Sequence, residues 1–506
     1  MTHPRIQLAI SALLILFFVV AAGRGLGDNY SYWSDELWSV SASRADWGVM
    51  LRDWLIPDTH PPLYQILLKL WIGLTGSGEM ATRGLSLLMA GLALVAMALF
   101  TSRRGASRRL VSVAFLGTSP AFLFFAQESR SYATSLALSA VMLGAALELR
   151  QRGLHGRNDS PLARWSDQAL RALFGGACLL LSLTHYFSLL FVLVVLAVGC
   201  AEGLILRRRR EVIPLLLAVL AWPAAHLLTS SFSNKLQRLD WIQVPPISGT
   251  LTEFAGGTLP LLTPDRAGSE RLLLIAMGLA TALVFAITAG PQRRDQVASD
   301  LPSLALGEVR FLLLAIGVFV GIMLPIDLIK PLSQARYYIV LLPALAYLCG
   351  NGWELSRRFA PVPRLALAGL LAVWFMLQWQ LGQRELSQKQ APLQNYKLMA
   401  TFVSRSGICD QGCWSDGWLL NALSPLYFEP GRLQQAPREA LAFAKPLEQP
   451  FLGFHRAVDQ LPDLRAANPT MTCWEAPAVW KGTSFVLLPR TSTAQPARHG
   501  LRPCPP

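Results

Sequence analysis

The sequence predicts a mainly α fold: a polytopic membrane helix bundle of about eleven spans. Interfacial helices sit in its first outer loop, and a small C-terminal α/β domain follows. Three observations carry this. Over 506 residues, 53% are hydrophobic and only 15% charged, and mean hydropathy is +0.39, which excludes an ordinary soluble chain of this length. Apolar runs of about 17–25 residues recur, the length that crosses a bilayer. Arginines crowd into alternate connections between those runs, as the positive-inside rule requires.

The runs lie near 6–23, 84–101, 110–126, 131–149, 172–185, 187–206, 212–230, 270–290, 310–329, 337–355 and 364–382. The first lacks a small-residue cleavage pattern with a soluble sequel and reads as a retained helix. With Met1 cytoplasmic, five connections fall inside. They carry Arg103, Arg104, Arg108 and Arg109; Arg150, Arg152, Arg157, Arg164 and Arg171; Arg207 to Arg210; Arg293 and Arg294; and Arg357, Arg358 and Arg364. Splitting the apolar stretch at His185 keeps all of them on one side. The net charge of +14 is therefore a topology signal rather than a nucleic-acid surface. The expected organisation is a transmembrane domain over 1–382, whose first periplasmic loop is 24–82, and a periplasmic C-terminal domain over 383–506.

The tail alternates short apolar runs (Trp418-Leu-Leu, Phe485-Val-Leu-Leu) with proline and glycine, as a small α/β unit does. It holds Cys409, Cys413, Cys473 and Cys504. Four cysteines in an exposed domain suggest two disulfides in an oxidising compartment, in unspecified pairing. Zinc is the rival reading, but the Cys-x3-Cys spacing lacks a matching partner pair.

The first outer loop concentrates the chemistry. Tyr30-Ser-Tyr-Trp-Ser-Asp-Glu-Leu-Trp38 is followed by Asp58-Thr-His-Pro-Pro-Leu-Tyr64. Charges at a membrane face are costly unless they have a task, and the surrounding tryptophans and tyrosines suit the membrane–water boundary. Apolar residues recur at helical spacing over 37–54, and 61–74 is apolar but too short to span. Both read as helices lying in the interface, with Asp35 and Glu36 before the first and His60 before the second. A carboxylate at a helix start also serves as a plain cap.

At these residues the chain resembles membrane glycosyltransferases of the GT-C superfamily that take sugars from polyprenyl-phosphate donors. The nearest relatives are the protein O-mannosyltransferases and the aminoarabinose transferase of lipid A. Asp35-Glu36 is similar to the family's acidic pair, and Asp58-Thr-His-Pro-Pro-Leu-Tyr64 to its Asp-x-His-Pro-Pro-Leu motif. Glu128-Ser-Arg-Ser-Tyr132 and Ala335-Arg-Tyr-Tyr338 resemble later signatures of the bacterial branch. The resemblance spans roughly 1–382 and not the tail.

The resemblance implies transfer of a hexosyl or pentosyl group, with inversion, from a polyprenyl-phosphate donor to a lipid, glycan or protein acceptor. It implies the periplasmic face of a bacterial inner membrane, with membrane lipids as surroundings. Such a reaction needs a base for the acceptor hydroxyl and positive charge for the departing phosphate. Asp35 is the expected base. Glu36 or Asp58 would orient the acceptor or hold a divalent cation, and no other cofactor is implied. His60, Arg83, Arg130 and Arg336 are the expected phosphate groups, with Glu128 and Tyr337 beside them in the substrate site. Arg83 and Arg336 also fit plain anchors at span ends, and Arg130 a partner of Glu128. The competing class is a transporter or lipid-linked-saccharide flippase. Transporters gather charge and broken helices near mid-membrane in corresponding halves, whereas these charges collect at one face.

Overall fold

The computed structural model describes residues 4–101, 106–155, 165–203, 209–229, 242–245, 247–288, 301–358, 361–390, 395–410, 412–417, 426–429, 431–454, 460–476 and 484–505. Arg103, Arg104, Arg157, Arg164, Arg207, Arg208, Arg293, Arg294 and the Trp418 run lie outside these residues. The chain forms two compact units. The first contains Met1–Arg24, Arg52–Tyr64 and Gly84–Glu385; the second contains Gly25–Leu51, Gln65–Arg83 and Leu386–Pro506.

Every expected span coincides with helix. Pro4–Ala22, Glu79–Thr101, Tyr132–His155, Asp167–Ser182, Tyr186–Glu202, Arg209–Thr229, Pro264–Thr288, Leu301–Ile329 and Pro361–Gln390 are continuous. Two spans are interrupted, both beside proline. The expected 110–126 helix splits into Ala106–Thr118 and Pro120–Phe125. Ser119, forced out of helical geometry by the following proline, has φ −61° and ψ 131°. The expected 337–355 helix begins as a 3-10 stretch, Ala335–Leu341, before Leu342–Leu355 takes over with Pro343 in its first turn. Among the described residues, five helices are long and apolar enough to cross a membrane. Leu8, Leu13, Leu16 and Val20 on the first helix, and Leu272, Leu279 and Leu283 further on, stand exposed. Large aliphatic side chains left outward in this way belong against lipid.

The core of the first unit runs through Met97, Leu116, Leu143, Phe174, Phe191, Phe319 and Tyr347. Several arginines expected to do no more than orient the protein are buried and paired. Arg108 meets Glu308 at 2.6 Å, Arg150 meets Glu202 at 2.7 Å and Arg152 meets Glu148 at 3.0 Å. A charge inside a bundle requires such a partner.

The second unit carries a six-stranded sheet: β1 Cys413–Ser415, β2 Leu433–Gln435, β3 Phe451–Phe454, β4 Met471–Glu475, β5 Ser484–Pro489 and β6 Arg502–Pro503. Their order is β2-β1-β3-β5-β4-β6. β1 runs parallel to β2 and β3, and the remaining pairs are antiparallel. Gly453 is paired with Phe485, and a Cβ on it would lie 2.2 Å from that ring, so only glycine admits the phenyl group there. Phe451, Phe485, Leu487 and Leu464 fill the core beneath. The four tail cysteines form Cys409–Cys413 and Cys473–Cys504, with Cα atoms 5.0 and 5.4 Å apart.

The first loop differs from the expected pair of helices in two respects. Ser34–Arg44 ends at Ala45, which turns extended with ψ 155°. A separate short helical stretch, Trp47–Val49, continues as a π-helical turn over Met50–Leu55. The second helix starts at Leu63 rather than Pro61, since a residue preceding proline is disfavoured in helix.

Candidate active site

Within the first unit, the Asp58 motif is held from several sides. The carbonyl of Ile56 lies 3.0 Å from His226 Nε2, and His226 Nδ1 meets the Tyr186 hydroxyl. Leu63 N–H donates to the Leu183 carbonyl at 3.0 Å, tying the motif's end to the connection between two helices. Inside this frame Asp58 Oδ1 accepts the Thr59 amide at 2.6 Å and faces His60 Nδ1 at 3.1 Å. Burial drives the Asp58 carboxyl upward. His60, the hydrogen bond between them, Arg130 and the Thr59 amide outweigh burial and hold it below the usual carboxylate range.

Arg130 Nη2 lies 3.4 Å from His60 Nε2. A guanidinium can only donate, so His60 Nε2 accepts and the proton on Nδ1 points to Asp58. Arg130 sits in a tight turn in which its own amide donates to the Glu128 carbonyl at 2.7 Å. Ser86 donates to that same carbonyl, so the Glu128 backbone organises the turn.

The Arg336 segment reaches the same group. Ala335 N–H donates to Glu253, and Asp327 accepts the amides of Leu332 and Ser333 at 2.8 and 3.0 Å. Gly257 underlies the segment so closely that a Cβ would come within 2.0 Å of the Ala335 carbonyl oxygen. The guanidinium of Arg336 stands 5.5 Å from the Tyr337 ring centroid, a cation–π distance. Tyr337 in turn packs on His185, centroids 4.4 Å apart, and His185 on His60 at 5.1 Å. Asp58, His60, Arg130, Arg336 and Tyr337, expected separately from sequence, therefore gather around His185. Two guanidinia acting on one place suit an anion, and guanidinium geometry suits phosphate oxygens.

Glu36 and Arg83 belong to a different arrangement, in the second unit. Trp33 is the cap of the helix Ser34–Arg44, and Glu36 reaches back to its amide at 3.4 Å. Arg83 Nε and Nη2 donate to the two oxygens of Glu36 at 2.9 and 2.6 Å. Two more of its N–H groups donate to the carbonyls of Tyr30 at 2.9 Å and Ser31 at 3.1 Å, and Tyr30 lies under the guanidinium at 3.7 Å. Arg83 and Glu36 are each 0% exposed. Both were expected to meet substrate. In the structure they meet each other and the carbonyls of the acidic loop.

The tail braces the same loop within this unit. Tyr32 N–H donates to the Tyr427 hydroxyl at 2.9 Å, which donates to Glu79 at 3.0 Å, and Lys397 pairs with Glu79 at 3.0 Å. Asp35 occupies the first turn of Ser34–Arg44, half-buried, where a carboxylate also suits the helix dipole. With Asp416 it acts electrostatically on Tyr396, whose hydroxyl is raised far above its usual range, chiefly by burial. Among the described residues no group of three or more His, Cys, Asp or Glu could hold a metal ion. His185, Tyr427 and Lys397 went unassigned in the sequence because an isolated histidine in an apolar run, or a tyrosine in a variable tail, carries no spacing signal.

No protein-family model and no curated protein matches the sequence. Solved structures do. ArnT from Cupriavidus metallidurans bound to undecaprenyl phosphate is 15% identical and superposes with a TM-score of 0.56, over 96% of this chain and 98% of that one. Its apo state gives 16%, 0.53, 94% and 97%. The oligosaccharyltransferase of Archaeoglobus fulgidus is 10% identical, with a TM-score of 0.48, over 96% and 75%. The chain has the GT-C fold.

Proposed function

We propose that this protein is a membrane glycosyltransferase that moves a sugar from a polyprenyl-phosphate donor to an acceptor at the periplasmic face of a bacterial inner membrane. The observation that carries this reading is the gathering of Arg130, Arg336, His60 and Tyr337 beside the Asp58–His60 pair. That gathering occurs in a chain whose fold is matched over nearly its whole length by an ArnT bound to undecaprenyl phosphate.

In this reading Asp35 takes the proton of the acceptor hydroxyl as its oxygen attacks the anomeric carbon. The bond from that carbon to the phosphate oxygen breaks on the opposite side, which inverts the centre. Arg130 and Arg336 stabilise the charge growing on the phosphate, more in the transition state than in the ground state, and His60 holds Arg130 by accepting from it. Asp58 acts through His60 by fixing its proton on Nδ1. Glu36 and Arg83 act at one remove, as the clamp that shapes the acidic loop.

The test is donor-saturation kinetics on purified protein with polyprenyl-phosphate sugars. Arg336→Ala and Arg130→Ala should lower turnover by more than they weaken donor binding. Wild-type turnover in both variants at saturating donor would reject the phosphate site.

A further inference from the structure

His185 lies in the connection Leu183–His185 between the helices Asp167–Ser182 and Tyr186–Glu202. Its Nδ1 accepts the amide of Phe187 at 3.2 Å, capping the second helix. That acceptance requires a lone pair on Nδ1, so the ring's proton is on Nε2. Residue 185 is 8% exposed, and Nε2 has no hydrogen-bond partner among the described residues. An unmet buried donor of this kind is costly. Around it stand the His60 ring at 5.1 Å and the Tyr337 ring at 4.4 Å. The cations acting on it are Arg130 and Arg336. An N–H donor held among cations is completed by an anionic oxygen.

We propose that His185 is a further donor-binding residue: its neutral Nε2–H donates a hydrogen bond to a phosphate oxygen of the lipid-linked donor, beside Arg130 and Arg336. This rests on the glycosyltransferase reading and adds to it a ligand contact made without charge. The helix cap fixes the tautomer, so the ring presents a donor at all times and never a competing acceptor. Burial, with His60, Arg130 and Arg336 nearby, holds its protonation far below the ordinary histidine range, and the donor therefore persists through neutral pH.

Two substitutions separate the cap from the donor. His185→Asn keeps a good cap acceptor but cannot reach the position of Nε2. His185→Gln places an amide N–H near that position. The probe is undecaprenyl phosphate binding to purified full-length protein, with undecaprenol and inorganic phosphate as the other arms. Asn should weaken undecaprenyl phosphate binding about tenfold to a hundredfold, the range of a hydrogen bond to a charged group. Gln should stay within about threefold of wild type. Undecaprenol, which lacks the phosphate, should bind Asn and wild type alike. Inorganic phosphate should bind more weakly than the lipid, with the same drop in Asn. Equal undecaprenyl phosphate binding by Asn and wild type would overturn the His185 contact and leave the wider reading standing. So would equal losses in Asn and Gln, or an equal loss for undecaprenol. Inorganic phosphate binding as tightly as the lipid would make this a free-phosphate site and overturn the lipid assignment. Absence of undecaprenyl phosphate binding by the wild type would overturn both.

Discussion

Replacing Arg83 by Met should destabilise the protein without touching a substrate contact. The side chain makes two hydrogen bonds to Glu36, at 2.9 and 2.6 Å, and one each to the carbonyls of Tyr30 and Ser31. Both members of the pair have side chains 1% exposed. At a separation near 3 Å and an effective dielectric of about 20, the pair's attraction is roughly 5 kcal/mol. Removing one partner leaves a buried charge uncompensated, which costs about 3–5 kcal/mol. The double variant Glu36→Met with Arg83→Met removes both charges and should recover much of that loss. The assay is thermal unfolding of the three variants and wild type in one detergent, with undecaprenyl phosphate binding measured well below each midpoint. The expected order of stability is wild type, then the double variant, then Arg83→Met, with donor binding by folded protein nearly unchanged. An Arg83→Met protein as stable as wild type, yet with donor binding lost, would refute the clamp and restore Arg83 to the phosphate site.

Further outcomes follow from the same geometry. His185 is protonated less readily in the folded protein than in the unfolded chain, so the unfolded state takes up more protons below about pH 6.5. Stability should fall by up to about 1.4 kcal/mol per pH unit on acidification from there, and His185→Gln should flatten that slope in a pH series of unfolding midpoints. Asp58 has the same sign in a lower window: its carboxyl is depressed, so its contribution is complete above about pH 4 and is lost only below, and it cannot produce the slope near pH 6. The disulfide Cys473–Cys504 closes a separation of 31 residues and Cys409–Cys413 one of 4. By chain entropy they contribute roughly 4 and 2 kcal/mol, so Cys473→Ala should lower the unfolding midpoint more than Cys409→Ala.

Much of the fold was legible because a bilayer imposes it. Span lengths follow from hydrocarbon thickness and the split at His185 from arginine placement, and all eleven runs became helix. The interruptions at Ser119 and before Leu342 follow from Pro120 and Pro343, and the late start at Leu63 from Pro62, which the apolar pattern alone overrides. The site was legible as residue types and not as partnerships. Asp58 and His60 sit two apart, and their contact could be guessed. The pairing of Glu36 with Arg83 crosses 47 residues and that of His60 with Arg130 crosses 70, separations at which one sequence gives no distance. Arginine at a span end reads the same whether it binds phosphate, as proposed for Arg336, or clamps a loop, as Arg83 does.

Sugar transfer from a polyprenyl-phosphate donor is proposed here with Asp35 as base. It is tested most directly by incubating purified wild type and Asp35→Asn, at equal abundance, with a panel of polyprenyl-phosphate sugars and following release of polyprenyl phosphate together with a glycosylated acceptor. Release and acceptor labelling are expected from the wild type with at least one donor, and none from the Asn variant, which retains the shape of the carboxylate but cannot take the proton. Wild-type turnover by Asp35→Asn would contradict the assignment of the base. A wild type that transfers no sugar, yet carries intact lipid-linked saccharide across a vesicle bilayer, would contradict the enzyme reading itself.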